Sequence, residues 1–534
     1  MATLSATAGM ELPDDRAVWH PHINPWLIAV SVILPTFMEV LDTSIANVAL
    51  NHIAGSMSAS YSEATWVLTS YLIANAIVLP LTAWLGNRFG RKRFLLGCIM
   101  TFTAASFLCG ISVSLPMLLA MRVLQGLAGG GLMPISQAIL MESFPPNLQG
   151  AAQGLFGLGA VVAPVVGPVI GGWLTDNYSW RWVFYINIPI GALSVWAVQQ
   201  TVEDPPWVRH SDPGPLDVLG FSALAIWLGC QETFLDKGQE NDWFSSRFIC
   251  WMAALALSGF VVFIIRELRA DKPMVDLRIF RERNFAVGTV LIFFVGFLLY
   301  GIGLATPQFL QLLMGYTALA AGVATSPLGL GAMISMILAG RLAAKMELRF
   351  LSGVGYVIFL IGAFKLSGVN LFISPWSVFW PQMLAGLSMG FLFIPVNIAA
   401  TAPLRRDEVG TATGIINLMR NVGGSVGIAM VSTFLARRAQ VHQSMMVQHF
   451  TAGNLNLQAR AAALQHYMAL RMPASGNGRG PATGLVYELL QQQTHLLAFR
   501  DLYQGLGMIA AGCLILVLAL RRARMASGAS VSVH

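Results

Sequence analysis

The stretch PTFMEVLDTSIANVAL, residues 35–50, sets two carboxylates, Glu39 and Asp42, inside an otherwise apolar run. That run extends over residues 27–47 without a third charge. About 20 apolar residues are enough to cross a bilayer as a helix. An acid held at such depth is costly, and its default reading is functional.

The whole chain repeats this pattern. Of its 534 residues, 56% are apolar and 11% charged, against about 25% charged in soluble proteins. So few charges cannot cover a soluble surface of this size, which excludes an ordinary cytosolic enzyme. Disorder is excluded too, because it needs low hydrophobicity. The apolar runs are continuous and do not alternate, so they predict an all-α polytopic membrane protein and not a barrel.

Fourteen runs of spanning length follow one another, from 27–47 to 502–520, with the seventh, 216–234, ending beside Glu232. Basic residues test this count. With the N-terminus inside, the inner segments hold 20 of the 32 Lys and Arg, and the short outer loops hold only Arg181, Lys237 and Arg247. Positive charge concentrates on the cytoplasmic side, so both termini are expected there. The net charge of +7 is thereby absorbed by topology, and no nucleic-acid partner is implied. The N-terminal residues lack a basic start followed by an apolar core, so no cleaved signal is expected. The five cysteines lie in or beside apolar runs without metal-ligand spacing and read as packing residues; no metal and no cofactor is expected.

A repeat is visible in WLGNRFGRKRFLL (84–96) and GRLAAKMELRFLS (340–352), two inside loops with glycine and bases at similar places. It predicts a six-helix half at 27–200 and a second at 284–521. Two extra spanning helices lie between them in 201–283, with cytoplasmic tails at 1–26 and 522–534. Internal repeats of this kind build secondary transporters, whose substrate site lies at the repeat interface. One long outer segment, about 437–500, carries helix-favouring stretches either side of a Gly/Pro break near 473–484. Two or three amphipathic helices are expected there, as a docking surface or as a lid.

Chemistry concentrates in four of the spans. Glu39 and Asp42 share a helix face and would repel if both were ionised, so at least one should carry a proton. Arg122, in LLAMRVLQGLAGGGLMP (118–134), is the natural counter-ion. Asp42 lies about 22 Å from one end of its span and Arg122 about 9 Å from the other, so their depths coincide in a core about 30 Å thick. The alternative is that Arg122 snorkels to the headgroups. Span five, GLGAVVAPVVGPVIGGWL (157–174), holds Pro164 and Pro168, which should kink it. Gly167, Gly171 and Gly172 thin one face for a hinge or seal. Arg420 with Asn417 and Asn421 forms a polar patch in span thirteen, and Asn75, Gln125 and Gln137 are further cavity residues. GGSVG at 423–427 matches a nucleophile-elbow pattern, but inside an apolar helix it reads as packing. The sequence has no GxxxxGK[ST], so transport energy must come from a gradient or another subunit.

Together these segments resemble the major facilitator superfamily, and more closely its fourteen-helix drug/proton antiporter branch of the EmrB/QacA type. LDTSIANVAL (41–50) resembles the branch's first-helix signature, RVLQGLAGG (122–130) its helix-four motif, and GPVIGG (167–172) its antiporter motif. NRFGRKR (87–93) resembles the inter-helix loop motif through Arg88, Gly90 and Arg91, but departs from it at Asn87, where an acid is usual. MRNVGGSVG (419–427) and PQFLQLLMGYT (307–317) resemble EmrB-like pumps. The resemblance implies export of drugs or other toxic amphipathic compounds across the inner membrane in exchange for protons, with Asp42 carrying the proton and Arg122 modulating it. It also implies a periplasmic adaptor and an outer-membrane channel as partners. The rival reading is a proton symporter that takes up a small metabolite, against which GPVIGG speaks on family grounds.

Overall fold

The computed structural model describes residues 21–205, 217–270, 273–405, 408–448, 455–471 and 479–521. Among these there is no strand. The N-terminal helices are α1 (Pro25–Ser56), α2 (Tyr61–Val78), α3 (Thr82–Phe89), α4 (Arg91–Gly110), α5 (Leu115–Ser143), α6 (Pro146–Asn177), α7 (Trp182–Tyr185) and α8 (Asn187–Thr201). A hairpin follows, α9 (Val218–Lys237) and α10 (Arg247–Arg269). The C-terminal helices are α11 (Arg283–Leu312), α12 (Ala318–Ala343), α13 (Leu348–Leu366), α14 (Pro375–Thr401), α15 (Val409–Val447), α16 (Leu455–Arg471) and α17 (Arg479–Val517).

Fourteen helical stretches are long and apolar enough to cross a membrane. A 3-10 turn at Leu79–Leu81 joins α2 and α3 into one stretch, and α7 and α8 form another. An even number of crossings returns the chain to the side where α1 began; that side is the termini end.

Local sequence explains the helix starts. Asn24 accepts from the Trp26 amide at 3.0 Å, with Pro25 in the first turn where its missing N–H costs nothing. Ser60 and Glu63 cap α2 reciprocally at 3.2 and 2.8 Å. Between α3 and α4 the chain turns at Gly90 with φ +86°, a left-handed conformation that side chains rarely tolerate. The Asp204 carboxylate fills the space a Cβ would take there and accepts from the Lys92 amide at 2.8 Å, which caps α4 with negative charge. Asp217 caps α9 through the Gly220 amide and accepts from Arg266 of α10 at 2.7 Å. Burial works to raise that carboxyl, but the Arg266 and Gly220 bonds outweigh it and leave it below its ordinary value.

At the termini end the N-terminal and C-terminal spans touch directly. A Cβ on Gly150 of α6 would lie 2.5 Å from the Gly340 carbonyl of α12, and one on Gly154 would lie 2.6 Å from that of Met336. Only glycine permits this approach. At the far end the hairpin helix α9 stands between α2 and α15, through Asp236 with Thr69 and Glu232 with Ser425.

The helix α6 runs unbroken through Pro164 and Pro168. Pro168 has no N–H to give the Pro164 carbonyl, and Ser44 of α1 donates to it instead at 3.4 Å. The helix α15 continues to Val447, so the outer segment expected from about 437 begins as the end of that helix. Finally, residues 479–484 of the expected Gly/Pro break already belong to α17, where Pro481 sits in the first turn that tolerates it. The remainder of that break, 473–478, lies outside the described residues.

Candidate functional site

Asp42 is 1% exposed and fully engaged. Its Oδ2 accepts from Arg122 Nη1 of α5 at 2.6 Å, and its Oδ1 from Gln125 Nε2 at 2.9 Å and Asn187 Nδ2 at 2.7 Å. Arg122 is held in turn. Its Nε donates to the Val67 carbonyl at 3.0 Å, its Nη1 to Gln125 Oε1 at 2.8 Å, and its guanidinium lies 4.3 Å from the Tyr71 ring centroid. Snorkelling is therefore excluded: Arg122 is wholly buried. A buried arginine and carboxylate are tolerable only when paired and hydrogen-bonded on most sides, and that is the arrangement here.

Asn187, the first residue of α8, was not singled out in the sequence. It also donates to Ser106 at 3.0 Å, which ties three spans to Asp42. A lone asparagine in the apolar run YINIPIGAL was the signal available.

Glu39 goes elsewhere. It is 8% exposed, and its Oε1 accepts from Asn75 Nδ2 of α2 at 2.9 Å, while its Oε2 is buried without a hydrogen-bond partner. The Arg420 guanidinium acts on it electrostatically from α15. The structure thus separates the two acids that spacing placed on one face: Arg122 serves Asp42, not Glu39.

The expected cavity residues also separate. Gln125 belongs to the Asp42 network and Asn75 to Glu39. Gln137 of α5 accepts from Asn417 Nδ2 of α15 at 2.7 Å and donates to Gln153 of α6 at 3.4 Å, so it joins N-terminal to C-terminal spans. Arg420 is half-buried and reaches the Met133 sulfur at 2.8 Å and Asn421 at 3.3 Å. In α14, Asn397 is fully buried with both side-chain polar atoms unpartnered beside this layer's helices. A groove of about 540 Å³ between α13 and α17 is lined by residues such as Phe350, Val354, Val357, Leu514 and Val517, and by none of these site residues.

The Major Facilitator Superfamily profile matches residues 32–428. The chain belongs to that superfamily. It is 34% identical over 455 residues to the multidrug export protein EmrB of Escherichia coli (strain K12), covering 84% of this chain and 88% of that one. It is 34% identical over 496 residues to the fatty acid resistance protein FarB of Neisseria gonorrhoeae, covering 92% and 94%. Among solved structures, a proton:xylose symporter of the superfamily superposes with TM-score 0.57 at 14% identity, covering 94% of this chain and 97% of that one, which establishes the fold. The protein is a multi-pass membrane transporter of the EmrB-like kind, not an enzyme.

The residues expected to gate fall in two places. Arg91 is 1% exposed and pairs with Glu142 of α5 at 2.6 Å. Its Nη1 lies 3.0 Å from where a Cβ on Gly410 would stand, at the start of α15. Glu142 thus supplies an acid to the loop motif in which Asn87 replaces one; spacing could not reveal it, since it lies at the end of another span. Arg88 is exposed. On α6, Gly167 and Gly171 face Ser44 and Ile45 of α1, whereas Gly172 has open space. The Pro164 carbonyl takes the Ser44 bond; the Pro168 side chain lies outside the described residues. Among the described residues no cluster of His, Cys, Asp or Glu could hold a metal.

Proposed function

We propose that the chain exports drugs or other toxic amphipathic compounds across the inner membrane in exchange for protons. The single observation that carries this reading is the buried Asp42–Arg122 pair with Glu39 one turn away, two carboxylates on the span that lines the bundle. An acid at that depth can hold or release a proton only as its partners rearrange, which couples titration to conformation. The names of the relatives EmrB and FarB, an exporter and a resistance protein, support the outward direction and the class of cargo.

The N-terminal half 27–200 and the C-terminal half 284–521 rock about the layer of Gln137, Asn417 and Gln153. The hairpin within 201–283 lies to one side. Both termini are cytoplasmic, so the Gly150–Gly340 contact closes the inner gate and the cavity faces outward. In that state Asp42 is held by Arg122, and Glu39 is the acid left with an unpartnered oxygen. The outer segment formed by the ends of α15 and α17 with α16 serves as the platform for a periplasmic adaptor, which hands substrate to an outer-membrane channel.

The test uses inside-out vesicles with an imposed proton gradient and the dye ethidium. Asp42→Asn keeps the shape and two of the donors but removes the titratable group. It should reach the membrane in normal amount and lose gradient-driven dye uptake. Uptake at the wild-type rate would make Asp42 structural, and dye movement in the opposite direction would favour the symporter.

A further inference from the structure

The GGSVG segment and the helix α9 are left over from the transport site, and they meet. Ser425 Oγ of α15 donates to Glu232 Oε1 of α9 at 2.6 Å. Glu232 is 9% exposed, so a carboxylate is buried on the helix that stands between α2 and α15 at the far end. A buried acid with a hydroxyl as its partner is an expensive way to pack two helices, since an apolar pair would do the same.

One turn further along, α9 grips the other side. Thr69 of α2 donates to Asp236 Oδ2 at 2.5 Å. Lys237 Nζ donates to Thr65 Oγ1 at 2.7 Å and lies 5.7 Å from the Trp66 ring centroid. Gly229 of α9 rests against Ile73 of α2. The α2 side is therefore held by two short bonds, a cation–π contact and apolar packing.

The α15 side is held differently. Besides Glu232, it is reached by Trp243, whose indole Nε1 donates to Thr433 Oγ1 at 3.1 Å. That indole is aimed by two successive non-glycine residues in left-handed conformation, Asp242 at φ 53° and Trp243 at φ 51°. Such a turn persists only while its surroundings enforce it, and strain of this kind is characteristic of elements that switch. The grip on α2 has no such residues.

We infer that α9 is a strap fixed to α2, and that Glu232–Ser425, with the strained Trp243–Thr433 contact, is its releasable end. Glu232 is then a positioning residue for transport. While the bond is made, α9 closes the lateral gap between α2 and α15; when the N-terminal and C-terminal spans rock, α9 travels with α2 and slides along the Ser425 face of α15. Gly423, Gly424 and Gly427 keep that helix close to α11 on the other side, so the slide need not disturb its packing. This rests on the alternating-access reading proposed above.

Reversible crosslinking tests it. In a Cys230→Ser, Cys250→Ser background, Thr69→Cys with Asp236→Cys links α9 to α2, and Glu232→Cys with Ser425→Cys links α9 to α15, each with a short bifunctional methanethiosulfonate. The α9–α15 link should cut ethidium export by about tenfold or more relative to the same protein before linking, and reductant should restore it. The α9–α2 link should leave export within about twofold. Recovery on reduction shows that the linked protein was folded. Export unaffected by the α9–α15 link, or stopped by the α9–α2 link, overturns the strap. If the protein without any of these introduced cysteines does not move ethidium, the export reading fails and not the strap. The two linked proteins are then compared by N-ethylmaleimide labelling of Gln153→Cys, a position buried by the closed gate. Labelling must be lost in the α9–α15 link and kept in the other, and any other pattern overturns the inference.

Discussion

Asp42 and Glu39 stand on the same helix, one turn apart, in opposite circumstances. Asp42 has both oxygens taken, one by a guanidinium and one by two amides. Glu39 has one oxygen on Asn75 and the other buried without a hydrogen-bond partner. The difference teaches that burial alone does not make a proton carrier. Asp42 is bonded to Arg122 across α1 and α5, whereas Glu39 is bonded only to the neutral Asn75 amide. In the proposed exchange Asp42 would follow the movement of α5 against α1, and Glu39 would exchange with the cavity.

The largest effect expected is from Arg122→Ala. It strands Asp42 as an unpaired buried charge, which costs about 3–5 kcal/mol. Thermal unfolding in detergent should show a lower melting temperature and export should be lost; Arg122→Lys should recover part of both, since it restores charge without the fork geometry. A melting temperature unchanged in the alanine variant would break the comparison at its strong side.

Next comes Asn187→Ala, which removes one of three donors to Asp42. The loss should be about 1–3 kcal/mol, the range for a buried acceptor deprived of a partner. Reduced stability with export weakened but present is the expected result. Stability unaffected would mean that Arg122 and Gln125 suffice, and that Asp42 is less tightly closed than its contacts suggest.

The smallest stability effect belongs to Glu39→Gln. The amide can keep the Asn75 bond, and Arg420 makes no direct ion pair with Glu39 to be lost, so unfolding should shift by under about 1 kcal/mol. Gradient-driven export should nevertheless fall by about tenfold or more. A variant that unfolds easily, or one that exports normally, would erase the contrast between the two acids.

Much of this was legible in the sequence because depth in a membrane is one-dimensional. Counting residues from the ends of two spans was enough to put Asp42 and Arg122 at one level. Rotation about the helix axes is not legible in that way. It decides that Asn187 turns toward Asp42, that Glu142 and not a loop acid meets Arg91, and that Gln125 leaves the cavity for the ion pair. Arg438 of α15 pairs with Asp501 of α17, as does His442 at 2.8 Å, a meeting of distant segments that counting along one span does not reveal. The repeat visible in two loops led to the expectation of two six-helix halves, but Glu232 lies between those halves, and its meeting with Ser425 follows from where an inserted helix happens to settle.

That pinned pair of long helices has a mechanical consequence. Both α15 and α17 are 39 residues long. At 1.5 Å per residue each is about 58 Å, so roughly 28 Å stands clear of a core about 30 Å thick. Riveted together by Asp501 just outside the bundle, the two form a stiff mast. A tilt of about 10° at its foot, the size of an ordinary domain rotation, would sweep its tip through roughly 5 Å. Anything seated on the tip would feel each turnover as a stroke, without a nucleotide or a second motor to drive it.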